Sequence, residues 1–447
     1  MKFDLDYLFQ ALEPFTSGQA FMLGFSGGID SVVLLNAIKQ LILDKRLEVT
    51  LRAMHVDHGL QPHSRRDHEF CARFCEEHEV TFIDHSLGLN ARESPKYGIE
   101  NLAREARYQA FESQLQKNEV LLLAHHLDDQ LETLLFRLNR GANLKGLIGI
   151  PKRRKFAAGE IFRPLLEVTR RDLLKYAKQR GLRWVEDKSN KDVQFDRNFL
   201  RHKVMPAIES RWPRYRSSWH KSLQLLDEAH VMLRDLAEAD LKQLRFEGSH
   251  VISINSLRKH SKARQRNLIC HWIELLGLPA LSWNRLHKLV DEFIATNSEA
   301  GGLVVEDGYQ IGRFRNRLYV LTLQPLPASN QQWLPGKNSK ITIKGSGTLI
   351  GRNTVGCGIT NSLVDRLELR FRQGGEACRL QGRPKKTLKK LLHEARMEPW
   401  WRDRIPLIYS DNELICIPGI GVCEGAAAAP SEHGIEVIWK PSEELVT

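Results

Sequence analysis

Long apolar runs, clustered cysteines and the commonest nucleotide-binding signatures are all missing from this 447-residue chain. No stretch approaches the ~20 apolar residues that cross a bilayer, which argues against a membrane-spanning helix. The first nineteen residues interleave Asp4, Asp6 and Glu13 with Phe3, Leu5, Leu8, Leu12 and Phe15. That is an amphipathic helix pattern, without the basic start and apolar centre of a secretory leader. The seven cysteines, at 71, 75, 270, 357, 378, 416 and 423, are odd in number and never spaced C-x-x-C. This argues against a disulfide framework or a structural zinc site, and a reducing, cytoplasmic setting is expected. Cys71 and Cys75, four apart, are expected to share one buried helix face. No G-x-x-x-x-G-K-[ST] occurs, so a Walker loop is excluded. Neither Gly345-Ser346-Gly347 nor Gly419-Ile420-Gly421 continues to a G-x-G-x-x-G that opens a helix, which argues against a dinucleotide site. The P-C-x-x-C half of the zinc deaminase signature is absent too.

What is present is a globular composition with localised positive charge. Hydrophobic residues make up 42% of the chain and mean hydropathy is −0.37. The length exceeds one typical domain, so two or three are expected. The net charge of +12 is unevenly placed. Residues 1–150 carry 16 Lys+Arg against 21 Asp+Glu, residues 151–221 carry 20 against 8, and residues 371–406 carry 10 against 4. Two basic regions beside a non-basic half point to a nucleic-acid partner, with solvated helix faces as the plainer alternative.

Residues 21–25 read as a short buried strand. Ser26-Gly27-Gly28-Ile29-Asp30-Ser31 follows, then a helix through 32–38 whose start is marked by Asp30 and Ser31. Further strands are expected at 47–56, 80–83 and 119–124, alternating with helices at 63–79, 99–116 and 128–139. This alternation defines an α/β fold built on a doubly wound, mostly parallel sheet. Ligands of such sheets bind off the strand carboxyl ends, so the 26–31 loop, His55-Val56-Asp57-His58 and Ala124-His125-His126-Leu127-Asp128-Asp129 should line one crevice. A first domain is expected over 1–215. A mainly helical domain over 216–325 should carry helices at 217–244 and 256–296, with strands within 304–323. Beyond a Pro- and Gly-containing linker at 324–336, a small α+β domain over 337–447 should hold strands at 341–343, 367–372 and 414–418 and a basic helix at 387–395.

Strand, glycine turn and helix N-terminus aim backbone N–H groups and a positive dipole end at one point, a seat for phosphate. Gly27 and Gly28 let the backbone approach an anion without a Cβ in the way, and Ser26 and Ser31 add hydroxyl donors. The string Ser26 to Ser31 resembles the PP-loop of the ATP pyrophosphatases, which cut ATP between its α and β phosphates. Several other segments narrow the likeness: His55-Val56-Asp57-His58-Gly59-Leu60; Glu100 with Ala103-Arg104-Glu105-Ala106-Arg107-Tyr108; His125-His126 with Asp128-Asp129-Gln130 and Glu132-Thr133; and Arg163-Pro164-Leu165. In that order and spacing they resemble the tRNA(Ile)-lysidine synthetases. Phe371-Arg372-Gln373-Gly374-Gly375-Glu376, Lys389-Lys390-Leu391-Leu392 and Pro399-Trp400-Trp401-Arg402-Asp403-Arg404-Ile405-Pro406 extend the resemblance to the C-terminal domain.

The resemblance implies an ATP-dependent ligase that replaces the 2-oxygen of the wobble cytidine, in the CAU anticodon of the minor isoleucine tRNA, with the ε-amine of free lysine. The cytidine is first adenylated. Lysidine, AMP and pyrophosphate result, and codon reading changes from AUG to AUA. Under this reading Ser26, Gly27, Gly28, Ile29, Asp30 and Ser31 bind ATP, and Asp30 and Asp129 are the candidate Mg²⁺ ligands. His125 is favoured over His126 for orienting the α-phosphate or moving a proton. Asp129 and Glu132 share a helix face and form a carboxylate pair suited to the lysine ammonium. Arg107, with Arg104, suits neutralising phosphate charge, or else an ion-pair ladder with Glu100. Arg163, Arg197 and Arg201 are expected to contact phosphate of ATP or tRNA. His55 and His58 are assigned to packing or adenine contact. The basic segments 151–155 and 371–406 are expected to follow the tRNA backbone, and Trp400 and Trp401 suit either base stacking or core packing. A homodimer is compatible with the resemblance. The alternatives are another PP-loop tRNA-modifying enzyme such as a thiolase, which the missing C-x-x-C disfavours, and a tRNA-binding protein with a merely structural nucleotide site.

Overall fold

The computed structural model describes residues 2–15, 18–57, 64–87, 99–186, 192–243, 250–296, 302–306, 308–322, 325–327, 331–333 and 340–442. His58, the side chain of Glu100 and most of the 324–336 linker lie outside the described residues. The chain divides into two compact units, Met1–Val231 and Met232–Thr447.

The first unit is organised on a six-stranded sheet. After α1 (Leu5–Leu12), its elements run β1 (Ala20–Gly24), α2 (Ile29–Leu43), β2 (Thr50–Asp57), α3 (Ser64–Glu77), β3 (Thr81–Ser86), α4 (Ile99–Gln114), β4 (Val120–Leu122) and α5 (Leu127–Asn139). A short α6 (Leu144–Leu147) precedes the hairpin of β5 (Arg153–Phe156) and β6 (Gly159–Phe162), then α7 (Arg170–Gln179). The strand order is β3-β2-β1-β4-β6-β5, parallel throughout except for the antiparallel edge pair β5–β6. The chain moves outward from β1 to β2 and β3, then crosses to β4 on the other side of β1. That reversal opens a crevice off the carboxyl ends of β1 and β4, where open α/β sheets take ligands. Downstream lie α8 (Asp196–Phe199), one π-helical turn (Leu200–Val204), α9 (Met205–Arg211) and α10 (Tyr215–Gln243).

Helix α2 is apolar almost all round, and ten of its fifteen residues are buried, among them Val32, Val33, Leu34, Leu35, Ile38 and Leu41. It therefore sits within the core rather than on it. Its one buried amide, Asn36, accepts from the Tyr176 hydroxyl at 3.1 Å and meets His78 Nε2 at 3.3 Å, so it has partners. Cys71 and Cys75 are both fully buried in this core, on one face of α3 as their spacing predicts.

The start of α2 differs from the sequence expectation. The N-cap is Gly28, with no side-chain cap bond, and Asp30 and Ser31 lie inside the first turn. Glycine at the cap supplies no side-chain acceptor, so the first-turn N–H groups stay open to an outside anion.

In the second unit, an antiparallel sheet of β7 (Val251–Ser253), β8 (Gly302–Val305), β9 (Tyr309–Phe314) and β10 (Arg317–Thr322) packs against the helix Lys262–Leu275 through Trp272, Ile269 and Ile273. The helix expected over 256–296 is interrupted at Gly277 (φ 70°), and helical structure resumes at Trp283. Residues 340–442 form antiparallel sheets around one basic helix, Leu388–Glu394. Trp400 and Trp401 are buried with Leu321, and the Trp400 ring centroid lies 4.9 Å from that of Tyr319. They are core residues here and are not displayed for stacking on a base. A Cβ on Gly312 would lie 2.8 Å from Trp400 Cζ3, so that glycine leaves room for the indole. Trp400→Ala should therefore cost the second unit about 3–5 kcal/mol, measured by denaturant unfolding, while ATP binding by the first unit is unchanged.

Candidate active site at the strand carboxyl ends

One cavity of about 470 Å³ occupies the crevice. Phe25, Met54, Val56, Phe111, Leu123 and Val185 supply its apolar walls; Ser26, Gly28, Asp30, Ser31, His125 and Asp129 its polar end; and Arg104 and Arg107 its cationic rim. Asp57, Asp67 and Tyr108 also line it. Gly24 must be glycine, because a Cβ would sit 2.9 Å from Leu123 Cδ2 and 3.0 Å from Phe111 Cζ. Gly27 does not line the cavity. It takes a left-handed φ of +74°, a Cβ there would meet Cys71 Sγ at 2.9 Å, and its carbonyl accepts from Val185 N at 2.9 Å. Ile29 is buried in the core, so only its backbone can serve a ligand. Ser31 Oγ donates to the Gly28 carbonyl at 2.9 Å and lies 3.3 Å from Ser26 Oγ, which holds the loop tight.

The carboxylates of the two helix starts meet at His126, which is 2% exposed. Nε2 lies 3.6 Å from Asp30 Oδ2, and Nδ1 lies 3.5 Å from Asp129 Oδ2. His126 is the N-cap of α5 in a capping box: Asp129 N–H points at Nδ1 from 3.3 Å, and Asp129 Oδ2 accepts from His126 N at 2.9 Å. Burial opposes a charged ring, but Asp129, Asp30 and Asp128 outweigh it and push the pKa up to about 9. Asp129 is in turn held well below the usual carboxylate range: burial works against this, and His126, Arg197, His125 and Arg201 prevail. Histidine is rare among N-caps, which is why sequence reasoning missed this role.

His125, next in the chain, is opposite in character. Burial pushes its pKa down to about 3; Asp129 opposes this, and Arg163, Arg197 and Arg104 reinforce it. The ring is neutral and faces the cavity.

Asp30, His125, Asp129 and Arg107 are thus brought to one cavity, and Glu132 is not among its lining residues. Asp129 and Glu132 were expected as a carboxylate pair for the lysine ammonium, and Arg197 and Arg201 on phosphate of ATP or tRNA. Instead the four pair with one another. Arg201 reaches Glu132 Oε1 at 2.7 Å and Asp129 Oδ1 at 3.1 Å, and Arg197 reaches the same two carboxylates at 3.3 Å. The reason is burial: Glu132 is almost wholly enclosed, and an enclosed carboxylate demands a cation. Asp128 is likewise taken up, by Arg216 at 2.7 Å and Arg170 N at 2.8 Å. His55, assigned to packing or adenine contact, lines the cavity with its Nδ1 3.0 Å from the Phe25 carbonyl. Among the described residues no cluster of three or more His, Cys, Asp or Glu side chains could hold a metal.

Sheet topology, an uncapped glycine turn and this cavity define a PP-loop nucleotide enzyme, and the PP-loop domain family matches residues 4–208. The TilS substrate binding domain matches residues 252–319, and the TilS substrate C-terminal domain residues 367–439. The tRNA(Ile)-lysidine synthase of Coxiella burnetii is 37% identical over 98% of this chain and 97% of its own length. That of Pseudomonas fluorescens is 37% identical over 98% and 96%. Among solved structures, the U34-tRNA thiolase NcsA from Methanococcus maripaludis aligns with 50% of this chain and 78% of its own, at 18% identity and a TM-score of 0.42. The chain belongs to the tRNA(Ile)-lysidine synthase family, ATP-dependent PP-loop ligases. The thiolase alternative is not favoured. No helix of the described residues is long and apolar enough to cross a membrane.

The histidine clamp makes a testable statement about pH. The His126 pKa is raised above its unfolded value, so its contribution to stability is full below about pH 6.5. It is lost as pH rises through about 9. With magnesium chelated, the first unit should lose on the order of 2–3 kcal/mol across that window. His126→Asn should remove this pH dependence, as read from urea unfolding at both ends of the window.

Proposed function

We propose that this chain uses ATP to join free lysine to C2 of the wobble cytidine in the CAU anticodon of minor isoleucine tRNA. Lysidine, AMP and pyrophosphate are released. The observation that carries this reading is the succession of PP-loop, substrate-binding and C-terminal family matches along one chain, which pairs with 97% of a relative's length. The cavity chemistry supports it. The cytidine 2-oxygen attacks the α-phosphorus and pyrophosphate leaves toward Gly28, Ser31 and the open first-turn N–H groups of α2. The lysine amine then attacks C2, and the oxygen departs with AMP. Arg107 at the rim suits the charge that develops on phosphate.

Asp30 and Asp129 would hold Mg²⁺. Among the described residues the buried Asp30 Oδ1 has no hydrogen-bond partner, and Mg²⁺ is commonly bound by one or two carboxylates together with substrate phosphates. Such an ion supplies charge neutralisation at the phosphates. Asp129 offers the lysine ammonium a carboxylate within the cavity, shared with Arg197 and Arg201, whereas Glu132, held by the same two arginines, does not line it. The working division is catalytic over 1–215 and tRNA-binding over 216–325 and 337–447, with the basic segments 151–155 and 371–406 following the backbone. The reaction belongs to the cytoplasm, where tRNA, ATP and lysine occur together.

Purified protein should incorporate labelled lysine into this tRNA with ATP consumption. Absence of incorporation, alongside active pyrophosphate exchange on another substrate, refutes the assignment. Asp30→Ala should lower adenylation about 100-fold or more with tRNA binding nearly intact in a filter assay. Lys389 and Lys390 are exposed on the basic helix. Replacing both with Glu should weaken tRNA binding and flatten its salt dependence by about one unit of log–log slope per lost phosphate contact.

A further inference from the structure

Leu122 and Phe162 are register partners on the parallel strands β4 and β6, so the residues leaving these strands emerge side by side. His125 follows β4 and Arg163 immediately follows β6. Arg163 is 2% exposed, yet among the described residues no carboxylate pairs with it. Its guanidinium is instead divided among three acceptors. Nη1 donates to the Pro151 carbonyl at 2.7 Å, Nη2 to the Tyr108 hydroxyl at 3.4 Å, and Nε to His125 Nδ1 at 3.3 Å.

A guanidinium has donors only, so the third bond demands a lone pair on Nδ1. A neutral imidazole with its lone pair on Nδ1 carries its proton on Nε2. We propose that Arg163 is a positioning residue that locks His125 in the Nε2–H tautomer, making His125 a hydrogen-bond donor to a substrate oxygen and barring it from accepting a proton.

This rests on the lysidine-forming reading and assigns His125 one of the two roles left open by sequence. Negative charge grows on the α-phosphate oxygens as phosphorus is attacked, and again on the phosphate that leaves as AMP. A fixed N–H stabilises that charge without reorganising. In the second step the amine nitrogen forms the bond to C2 and the C2–O bond breaks with its electron pair on AMP. The amine proton passes to water, since His125 has no lone pair to offer on the cavity side. The charged groups that face the ring are Asp129 on α5, Arg163 after β6, Arg197 on α8 and Arg104 on α4. Three are cations and disfavour protonation at Nδ1.

The tautomer can be read directly, by two-bond ¹H–¹⁵N correlation on the full-length protein with ¹⁵N-histidine. The His125 signals are those lost in His125→Gln. The expected pattern is a bare Nδ1 and a protonated Nε2, unchanged between about pH 5 and pH 8. A protonated Nδ1, or an imidazolium in that range, overturns the proposal. Arg163→Met should release the constraint on Nδ1, so that the Nδ1–H tautomer appears beside the Nε2–H form in the spectrum; a ring still wholly in the Nε2–H form in that variant also overturns the proposal. Should that variant not fold, the His125 substitutions decide by activity. His125→Gln retains an N–H donor and should keep AMP release within about tenfold of the parent, while His125→Leu should lose about 100-fold. Equal losses contradict a donor role. If the unsubstituted protein releases no AMP with tRNA and lysine, the lysidine reading fails, and the spectrum still reports on Arg163 and His125.

Discussion

The active end of this protein depends on a buried imidazole placed between two carboxylates. Asp30 opens α2 and Asp129 opens α5, and each lies where a helix N-terminus favours negative charge. Together they are two like charges at one enclosed crevice, which is costly without a cation. His126 supplies that cation within 3.6 Å of both. Its own charge is sustained by the same carboxylates against burial, and it in turn helps hold Asp129 well below the usual carboxylate range. The glycine turn, the candidate metal carboxylates and the start of α5 are thereby tied into one piece.

Charge is sorted around that piece. On the side away from the cavity, the carboxylates of α5 are consumed: Glu132 by Arg197 and Arg201, and Asp128 by Arg216. Those ion pairs fasten α8, the π-helical turn and α10 to α5. Removing one member of so enclosed a network leaves a partner charge stranded, which is the expensive case. Around His125 itself the balance is reversed, with Arg163, Arg197 and Arg104 set against Asp129. Burial, reinforced by these guanidinium groups, keeps His125 neutral, while His126, one residue on, has its pKa raised by Asp129, Asp30 and Asp128. Adjacent residues of one type thus do opposite work because their neighbours differ.

Much of this was legible beforehand. Alternating strands and helices pointed to the parallel sheet, and Ser26 to Ser31 to a glycine turn at the carboxyl end of its first strand, because side-chain periodicity and glycine placement are local properties of the chain. Asp30, His125 and Asp129 were expected at one crevice on the ground that strand carboxyl ends converge there. Glu132, Arg197 and Arg201 were not legible in the same way. Sequence spacing put Glu132 on a shared helix face, but Arg197, 65 positions further along the chain, gave no sign that the two would meet. Trp400 and Trp401 stand among arginines in the sequence, and only packing against Leu321 and Tyr319 reveals them as core.

By itself, then, the sequence determined the sheet, the energy source and, through motifs strung along the chain, the substrate to expect. These follow from local order, which one chain carries in full. The tertiary structure alone decided which cation each carboxylate meets, which histidine is charged, and that Gly28 rather than Asp30 caps α2. Those outcomes depend on the distances and burial of groups far apart in sequence, and electrostatic energy is a function of distance and environment, not of spacing along the chain.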